Sequence, residues 1–291
     1  MDGIILLNKD KNVTSNTIIN KIKKELKLNK VGHIGTLDPN ATGLLPVLVN
    51  KATKLSNILI NHDKSYYLEA ILGLETDTLD ITGNILNEEN IFLNENINKS
   101  KLINILDDFK NNYFQTPPMY SAVKYQGKKL YEYARKNIKI EINSRKVNLY
   151  NYEIIDLKNY QNKILFTMNI DVSSGFYVRS LIDDIAKKLK TFGCLKDLKR
   201  TKVSNFLLED SSTYEEIINN KYKFISLLEL LKDYDNVILD EYLIKLVRNG
   251  VILDNRQYHK NKLFKIFDKN NNLIAIYYPY DNLKFKPLVI L

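Results

Sequence analysis

The sequence KVGHIGTLDPNATGLLPV, residues 30–47, is the stretch from which the fold can be predicted. The whole chain has ten glycines and six prolines, yet three glycines and two prolines lie within this stretch. Glycine permits backbone angles that other residues avoid and proline restricts them, so the segment must follow an unusual path. Because Pro39 disfavours helical geometry at the residue before it, we expect Asp38 to be extended or in a turn.

Asp38 has two possible roles in such a segment. A short carboxylate on a stiff main chain, flanked by a histidine, two threonines and glycines, suits a catalytic loop. The alternative is a structural Asx-type turn between strands, and an isolated Leu-Asp-Pro would favour that interpretation. The longer pattern around Asp38 therefore has to decide between them.

That pattern is Gly32-His33-x-Gly35-x-Leu37-Asp38-Pro39-x-Ala41-Thr42-Gly43-x-Leu45-Pro46. It resembles the catalytic motif of the TruB family of pseudouridine synthases, and a match with so many defined positions is far more specific than a short glycine signature. The resemblance implies that Asp38 is the nucleophile. It also implies that the backbone at Gly35 allows close approach of RNA, and that His33 fills or supports the space left by a flipped nucleotide.

Further segments resemble family motifs in the same order, and together the matches cover roughly residues 1 to 206. They are DKSY at 63–66, TPPMYSAVKYQGKKLYEYAR at 116–135, GFYVRSL at 175–181 and LKRTKVSNF at 198–206, with TDTLD at 76–80 as a shorter match. The resemblance implies that Tyr66 packs on the target base, whereas Tyr67 lies on the opposite face of the same strand. It also implies that Arg179 pairs with Asp38.

The residues assigned to substrate or RNA binding combine the resemblance with charge. Lysines and arginines that alternate with tyrosines in residues 116–136 would contact phosphates beside stacking surfaces, although a basic amphipathic helix with inward tyrosines is the plain alternative. The predicted binding residues are His33, Gly35, Tyr177, Lys9, Lys124, Arg135, Lys199 and Arg200.

The chain departs from the family pattern at two places. Asp10 and Asn12 stand where the family usually has a proline and a glycine, which affects only the local turn. Lys199 replaces an arginine, so the charge stays but the two-pronged hydrogen bonding of a guanidinium is lost.

Composition agrees with a nucleic-acid partner. The formal net charge is +9 and the pI is near 9.2, although part of this excess follows from a general richness in lysine. The lone cysteine, Cys194, excludes an intrachain disulfide and a cysteine metal cluster, and the three histidines are too scattered for a zinc site. We expect a reducing compartment, no cofactor and no metal. No apolar run is long enough to span a bilayer, and we expect no export signal from the composition of the first residues.

Hydrophobic periodicity predicts an α+β protein with helices flanking a central mixed or antiparallel sheet, which is the pseudouridine synthase fold that the resemblance implies. We predict a catalytic domain at 1–232 and a PUA-like RNA-binding β domain at 233–291. Local predictions include a short helix at 54–60, a loop at 84–100 and a strand at about 139–143.

The resemblance implies a cytoplasmic, monomeric isomerase without an obligate protein partner, which converts the uridine at position 55 in the T loop of tRNA to pseudouridine. One alternative is a guide-RNA-dependent synthase like the dyskerin branch. A second is a non-catalytic tRNA-binding or folding chaperone. A third, a uridine methyltransferase, would need a reactive cysteine, and the surroundings of Cys194 do not suggest one.

Overall fold

The computed structural model of the chain describes residues 1–59, 62–136, 138 and 140–291. The strands of these residues are β1 (Gly3–Lys9), β2 (Val31–His33), β3 (Thr42–Val49), β4 (Lys64–Leu72), β5 (Leu74–Thr76), β6 (Ile85–Glu88), β7 (Tyr113–Gln115), β8 (Lys124–Tyr125), β9 (Lys128–Lys129), β10 (Arg145–Val147), β11 (Leu149–Tyr160), β12 (Lys163–Val172), β13 (Gly193–Val203), β14 (Phe206–Leu207), β15 (Phe224–Ser226), β16 (Asp235–Ile238), β17 (Phe264–Phe267), β18 (Leu273–Asp281) and β19 (Lys284–Ile290). The α-helices are α1 (Ser15–Glu25), α2 (Ser56–Leu59), α3 (Lys99–Asn111), α4 (Leu130–Ala134), α5 (Val178–Lys188), α6 (Tyr214–Ile218), α7 (Leu227–Leu230) and α8 (Glu241–Arg248).

The central sheet has the strand order β11-β12-β4-β13-β3-β1-β15. It is mixed, as predicted, because β13 pairs with β3 in parallel through Lys199 to Thr42 and Arg200 to Gly43. Gly43 has a positive φ of 97°, and a Cβ atom there would lie 2.3 Å from the carbonyl oxygen of Arg200. The parallel pairing therefore requires a glycine at the start of β3.

Helices α1, α3 and α5 cover one face of this sheet. Alternate residues of the strands point to that face, and they pack with Ile22 of α1, Leu106 of α3 and Ile185 of α5, which are fully buried. Helix α1 begins where the Thr14 hydroxyl accepts a hydrogen bond from the Thr17 amide at 3.0 Å and so caps the first turn. This layer places the first turn of α5 beside the loop that follows β2.

The opposite face of β1 and β3 packs against the C-terminal region. Ile4 and Leu48 share an apolar cluster with Ile276 and Val289 of the second sheet, whose strand order is β16-β17-β18-β19. That sheet also has its own core with α8, in which Tyr277 and other aromatic rings are fully buried. The residues after about 233 thus form a small β unit that is attached to the main sheet by apolar contacts.

Several local predictions are wrong in detail. The segment 84–100 contains strand β6, which pairs with β5, because a tertiary partner supplies hydrogen bonds that its polar composition does not predict. Residues 140–143 form no strand, and residue 139 lies outside the described residues. The helix predicted at 54–60 is a 3-10 helix at Asn50–Leu55 followed by α2, with residue 60 outside the described part.

The segment 121–136, which we call the arm, is not one amphipathic helix. It contains the β8–β9 hairpin and the short helix α4. Gln126 and Gly127 between the two strands have φ values of 47° and 82°. Consecutive left-handed residues form a hairpin turn and cannot continue a helix, so the turn interrupts the helical spacing seen in the sequence.

The described residues include no helix that is both long and apolar enough to cross a membrane.

Candidate active site

The loop between β2 and β3 holds Asp38 in a tight turn. The Ala41 amide donates to the Asp38 carbonyl at 3.1 Å, so that Pro39 and Asn40 form the centre of a β-turn. Proline at that position fixes the turn angle, and this agrees with the sequence expectation for Asp38. The Asn12 amide donates to the Pro39 carbonyl at 2.8 Å and attaches the turn to the segment before α1.

Two buried side chains, Ser15 and Lys9, form hydrogen bonds with the backbone of the same loop and the segment next to it. The Ser15 hydroxyl donates to the Leu37 carbonyl and accepts from the Leu37 amide, both at 2.9 Å. The Lys9 ammonium donates to the carbonyls of Asp10 and Val13 at 2.8 Å and to that of Pro39 at 3.2 Å. The backbone on both sides of Asp38 is therefore fixed by side chains from β1 and α1.

Arg200 of β13 completes this support. It is fully buried, and it donates from Nε to the Leu44 carbonyl and from Nη2 to the Gly35 carbonyl, both at 2.8 Å. Gly35 has a φ of 73°, and a Cβ atom there would lie 3.1 Å from Arg200 Nη1 and 3.1 Å from Lys64 Cε. Only glycine fits between the loop and these two cations without displacing one of them.

Asp38 and Arg179 form an ion pair of 2.8 Å between Oδ2 and Nη2. The arginine is only 5% exposed, whereas 41% of the aspartate side chain is accessible. Arg179 also donates to the Thr78 carbonyl from Nη1 and to the Tyr120 carbonyl from Nη2, both at 2.9 Å. Two carbonyls from separate segments thus orient the guanidinium of α5 toward the carboxylate. The pairing itself is the one that the resemblance implies.

The surroundings of Asp38 raise its pKa. Burial of the carboxylate in dense protein is the main cause, and the nearby Asp80 adds to it, whereas Arg179 and then Lys9 oppose it. A carboxylate with a raised pKa is more basic than a free aspartate and stays ionised only while the pH is above that value.

Tyr66 lies beneath this loop on β4. Its side chain is 8% exposed, and its hydroxyl contacts the guanidinium of Arg200, which also binds the Gly35 carbonyl. Tyr67 lies on the other face of the strand, where its hydroxyl donates to Glu69 Oε1 at 3.3 Å. Of the two neighbouring tyrosines, Tyr66 is therefore the one on the side of the loop.

Comparison with known proteins identifies the family. Residues 23–178 match the family model described as "TruB family pseudouridylate synthase (N terminal domain)". The chain is 40% identical over 288 residues to a protein of Onion yellows phytoplasma named tRNA pseudouridine synthase B, with 99% of each chain covered. It is 38% identical over 279 residues to the protein of that name from Clostridium tetani, covering 95% of this chain and 92% of the relative.

The chain belongs to the TruB family of pseudouridylate synthases. Solved structures share its fold: a chain of a Cbf5–Nop10–Gar1 complex has a TM-score of 0.65 at 22% identity and covers 99% of this chain and 83% of its own. A chain of an H/ACA particle bound to a substrate RNA with 2'-deoxyuridine has a TM-score of 0.64 at 20% identity, with 99% and 83% covered. The predicted pseudouridine synthase fold is confirmed.

His33, predicted to support the vacated space in this TruB family member, lies at the end of β2 and is partly buried. Burial, with the cation of Arg200 nearby, lowers the pKa of His33 to about 4, so the imidazole is neutral at physiological pH. Among the described residues, its buried Nδ1 has no hydrogen-bond partner.

Two residues predicted to contact RNA are placed differently from that expectation. Lys9 and Arg200 are both fully buried, and their charged groups bind backbone carbonyls around the loop. Burial lowers the pKa of Lys9 to about 8. As a correction, the structure makes them supports of the loop that carries Asp38 in this TruB family member, because neither reaches the surface where a phosphate would lie.

The other predicted binding residues lie on separate elements of the structure. Lys124 and Arg135 are exposed on the arm, and the Arg135 guanidinium lies 5.3 Å from the centre of the Tyr131 ring. Lys199 is exposed on the face of β13 opposite Arg200. The ring of Tyr177, at the start of α5, lies 5.3 Å from the guanidinium carbon of Arg145.

Sequence reasoning missed the groups that hold the catalytic pair. The carbonyls of Thr78 and Tyr120 were invisible to it because every residue has a carbonyl, although both lie in segments that match family motifs. The contacts of the Ser15 hydroxyl with both backbone groups of Leu37 were not predicted either. The buried hydroxyl of Ser121, next to Tyr120, has no partner among the described residues.

The lone cysteine is unsuited to covalent catalysis. Cys194 is fully buried, and burial raises the pKa of its thiol to about 12. This placement weighs against the methyltransferase alternative. No group of three or more His, Cys, Asp or Glu side chains within the described ranges is arranged to hold a metal ion.

Proposed function

We propose that this protein converts the uridine at position 55 in the T loop of tRNA to pseudouridine. Relatives named tRNA pseudouridine synthase B match nearly its full length. The observation that carries the proposal is the 2.8 Å pair between Arg179 and Asp38, whose side chain stays 41% accessible. A carboxylate that is aimed from one side and open on the other suits attack on a bound nucleotide.

Asp38 is the nucleophile in this reaction. The bond from uracil N1 to the ribose C1' breaks, the base turns and a bond forms from C5 to C1'. The proton on C5 is lost to solvent and N1 takes up a proton, so that the product is an isomer of the substrate. Covalent attachment to Asp38 divides this rearrangement into easier steps, and the carboxylate is released at the end. The rearrangement consumes no electron acceptor and no phosphate donor, so the side chains of this protein are sufficient for it.

Tyr66 binds the uracil and helps to remove the C5 proton. Its ring offers an apolar surface for the base, and its hydroxyl can pass a proton onward. Arg200 is a donor without an acceptor, so the Tyr66 oxygen can only accept from it. The phenolic proton is therefore left for another partner, which is the substrate in this proposal.

The target uridine is flipped out of the RNA before it reacts. The neutral imidazole of His33 occupies or supports the vacated space, because an uncharged ring stacks between bases without a desolvation cost for charge. Gly35 allows the RNA backbone to approach. Tyr177, two residues before Arg179 at the start of α5, is a further residue that we propose to contact the substrate.

RNA is held mainly by the arm and the adjoining segment. Residues 121–146 contain eight lysines and arginines but two glutamates, which is most of the net charge of the chain. Lys124 and Arg135 contact phosphates and Lys199 contributes from β13. The domains are 1–232, which carries catalysis, and 233–291, a PUA-like unit that binds a more distant part of the tRNA.

The protein acts in the cytoplasm as a monomer. The structural neighbour Cbf5 occurs in complexes with Nop10 and Gar1. The present chain needs no such partner in this proposal, and it needs no guide RNA, because its full-length relatives are named as tRNA enzymes. A role as a tRNA-folding chaperone would accompany catalysis and not replace it.

The test is incubation of the purified protein with a bare T-arm hairpin, followed by chemical tagging of pseudouridine and mass mapping. We expect one modified uridine, at the position that corresponds to 55, with wild-type protein and none with the Asp38→Asn variant. Modification that requires an added guide RNA or protein would contradict the proposal. RNA binding with no product from wild-type protein would support the chaperone alternative.

A further inference from the structure

Gln115, the last residue of β7, binds both backbone groups of the residue that begins α5. Its Oε1 accepts from the Tyr177 amide at 2.7 Å, and its Nε2 donates to the Tyr177 carbonyl at 2.9 Å. Tyr177 is the N-cap residue of α5 and its side chain makes no capping hydrogen bond, so the amide of Gln115 is what fixes its backbone. Arg179 follows two residues later.

The orientation of Gln115 is determined by a second contact. Nε2 also donates to the Tyr113 hydroxyl at 3.1 Å, and that hydroxyl donates to Asp184 Oδ2 at 2.7 Å. Gln115 is 1% exposed and Tyr113 is 3% exposed. An amide turned by 180° would face the Tyr177 amide with a donor and the carbonyl with an acceptor, so only one orientation satisfies these groups.

The segment after Gln115 is attached to α5 at two further points. The Ser180 hydroxyl donates to the Thr116 carbonyl at 2.8 Å, and Arg179 Nη2 donates to the Tyr120 carbonyl at 2.9 Å. Prolines 117 and 118 lie between these points and restrict the backbone. A shift of Gln115 relative to α5 would therefore displace both Arg179 and the Tyr120 carbonyl that orients its guanidinium.

We propose that Gln115 is a positioning residue for catalysis: its amide sets the start of α5 so that Arg179 meets Asp38. This inference rests on the proposed function of the site. Gln115 touches neither substrate nor Asp38, and it acts through Tyr177 and Arg179. Displacement of a catalytic group by about 1 Å lowers rates by roughly a hundredfold, so removal of these hydrogen bonds is expected to slow chemistry.

The experiment compares wild-type protein with Gln115→Leu in single-turnover pseudouridine formation on a T-arm hairpin, with the enzyme in excess. Leucine has a similar volume but makes none of the three hydrogen bonds. We expect the rate constant to fall by about 10- to 100-fold, while the Kd for RNA changes less than about twofold. The acid limb of the pH–rate profile should move to higher pH, because a misplaced Arg179 lowers the pKa of Asp38 less.

A double-mutant comparison separates positioning from general damage. In an Arg179→Ala background, Gln115→Leu should have almost no further effect on rate, since the group it positions is absent. Tyr152→Phe is the matched control: it removes a partly buried hydroxyl that donates to Asp107 at 2.5 Å on the α3 side, and it should change neither the rate nor the Kd.

Gln115→Glu carries the test if Gln115→Leu lowers the melting temperature below the assay range. Burial favours the neutral form of a glutamate there, which keeps the acceptor for the Tyr177 amide and one of the two donors, so an intermediate rate is expected. An unchanged rate in a folded variant, a loss confined to RNA binding, or a full additional loss in the Arg179→Ala background would each overturn the proposal. If wild-type protein makes no pseudouridine, the proposed function fails instead.

Discussion

The loop at 30–47 and the arm at 121–136 both match family motifs, yet they differ in how far the rest of the structure holds them in place. Backbone groups around Asp38 are bound by buried side chains from three elements, among them Ser15, Lys9 and Arg200. The arm exposes most of its charges, and the bond from the Tyr131 amide to the Ser121 carbonyl at 3.1 Å joins two of its own residues. Catalysis needs one atom in a defined place, whereas capture of a phosphate chain needs charge within reach.

This contrast predicts two separable kinds of defect. Changes at the loop should lower the rate of chemistry while RNA binding persists. Changes on the arm should weaken RNA binding while the rate in the bound complex persists. The following variants test that separation.

The largest effect is expected from Asp38→Asn. An amide cannot act as the nucleophile, so single-turnover product formation should fall by about a thousandfold or more. The Kd for the T-arm hairpin, measured by filter binding, should stay within a factor of about three, because the arm is intact. Detectable turnover in this variant would exclude Asp38 as the nucleophile.

A smaller loss is expected from Arg179→Lys. Lysine keeps the charge but cannot donate at once to Asp38, Thr78 and Tyr120 as the fork does, so the rate should fall by about 100- to 1,000-fold. Because Arg179 lowers the pKa of Asp38, its loss raises that pKa further and shifts the acid limb of the pH–rate profile upward. An acid limb at the wild-type pH would show that the pair does not control ionisation of Asp38.

Tyr66→Phe and Tyr67→Phe form a matched pair on one strand. Removal of the Tyr66 hydroxyl should lower the rate by about a hundredfold, the usual size of a lost proton-transfer group. Tyr67 contacts Glu69 on the other face, so Tyr67→Phe should stay near the wild-type rate. Equal losses in both variants would mean that packing of the strand, and not the Tyr66 hydroxyl, is responsible.

On the arm, we expect the triple change of Lys124, Lys128 and Lys129 to Gln to raise the Kd for RNA by about tenfold. The salt dependence of binding should become shallower by roughly one unit of slope for each phosphate that a lysine no longer neutralises. The rate at saturating enzyme should be unchanged. Removal of three exposed lysines around α3, Lys99, Lys101 and Lys110, provides the charge-matched control. A similar loss in the control would indicate that only total charge matters.

The smallest effect is on stability. The raised pKa of Asp38 means that the folded state binds a proton there more tightly than the unfolded state, so stability falls as the pH rises through the window above the ordinary value of 3.8. At neutral pH Asp38→Asn should therefore melt slightly above wild type, and the difference should vanish as the pH falls and wild-type Asp38 becomes protonated. A variant that melts lower at neutral pH would show that the unpaired Arg179 outweighs the relief of burial.

The sequence alone determined the family and with it the fold class, and it predicted both the Asp38–Arg179 pair and opposite strand faces for Tyr66 and Tyr67. These depend on long motifs and on strand alternation, which are local or pattern properties. It predicted the turn at Asp38 because Pro39 acts on its neighbours through bonds and short-range sterics. The role of Tyr66 in the reaction stays a prediction.

Only the tertiary structure decided which charged side chains are buried and stabilise the fold, and which are exposed to solvent. Lys9 and Arg200 look like phosphate ligands in the sequence, but they are buried and bind loop carbonyls, because burial depends on residues far away in the chain. The clamp of Gln115 on Tyr177 and the role of the Thr78 and Tyr120 carbonyls arise in the same way. Backbone groups are alike in every residue, and only packing brings a particular one to a particular side chain.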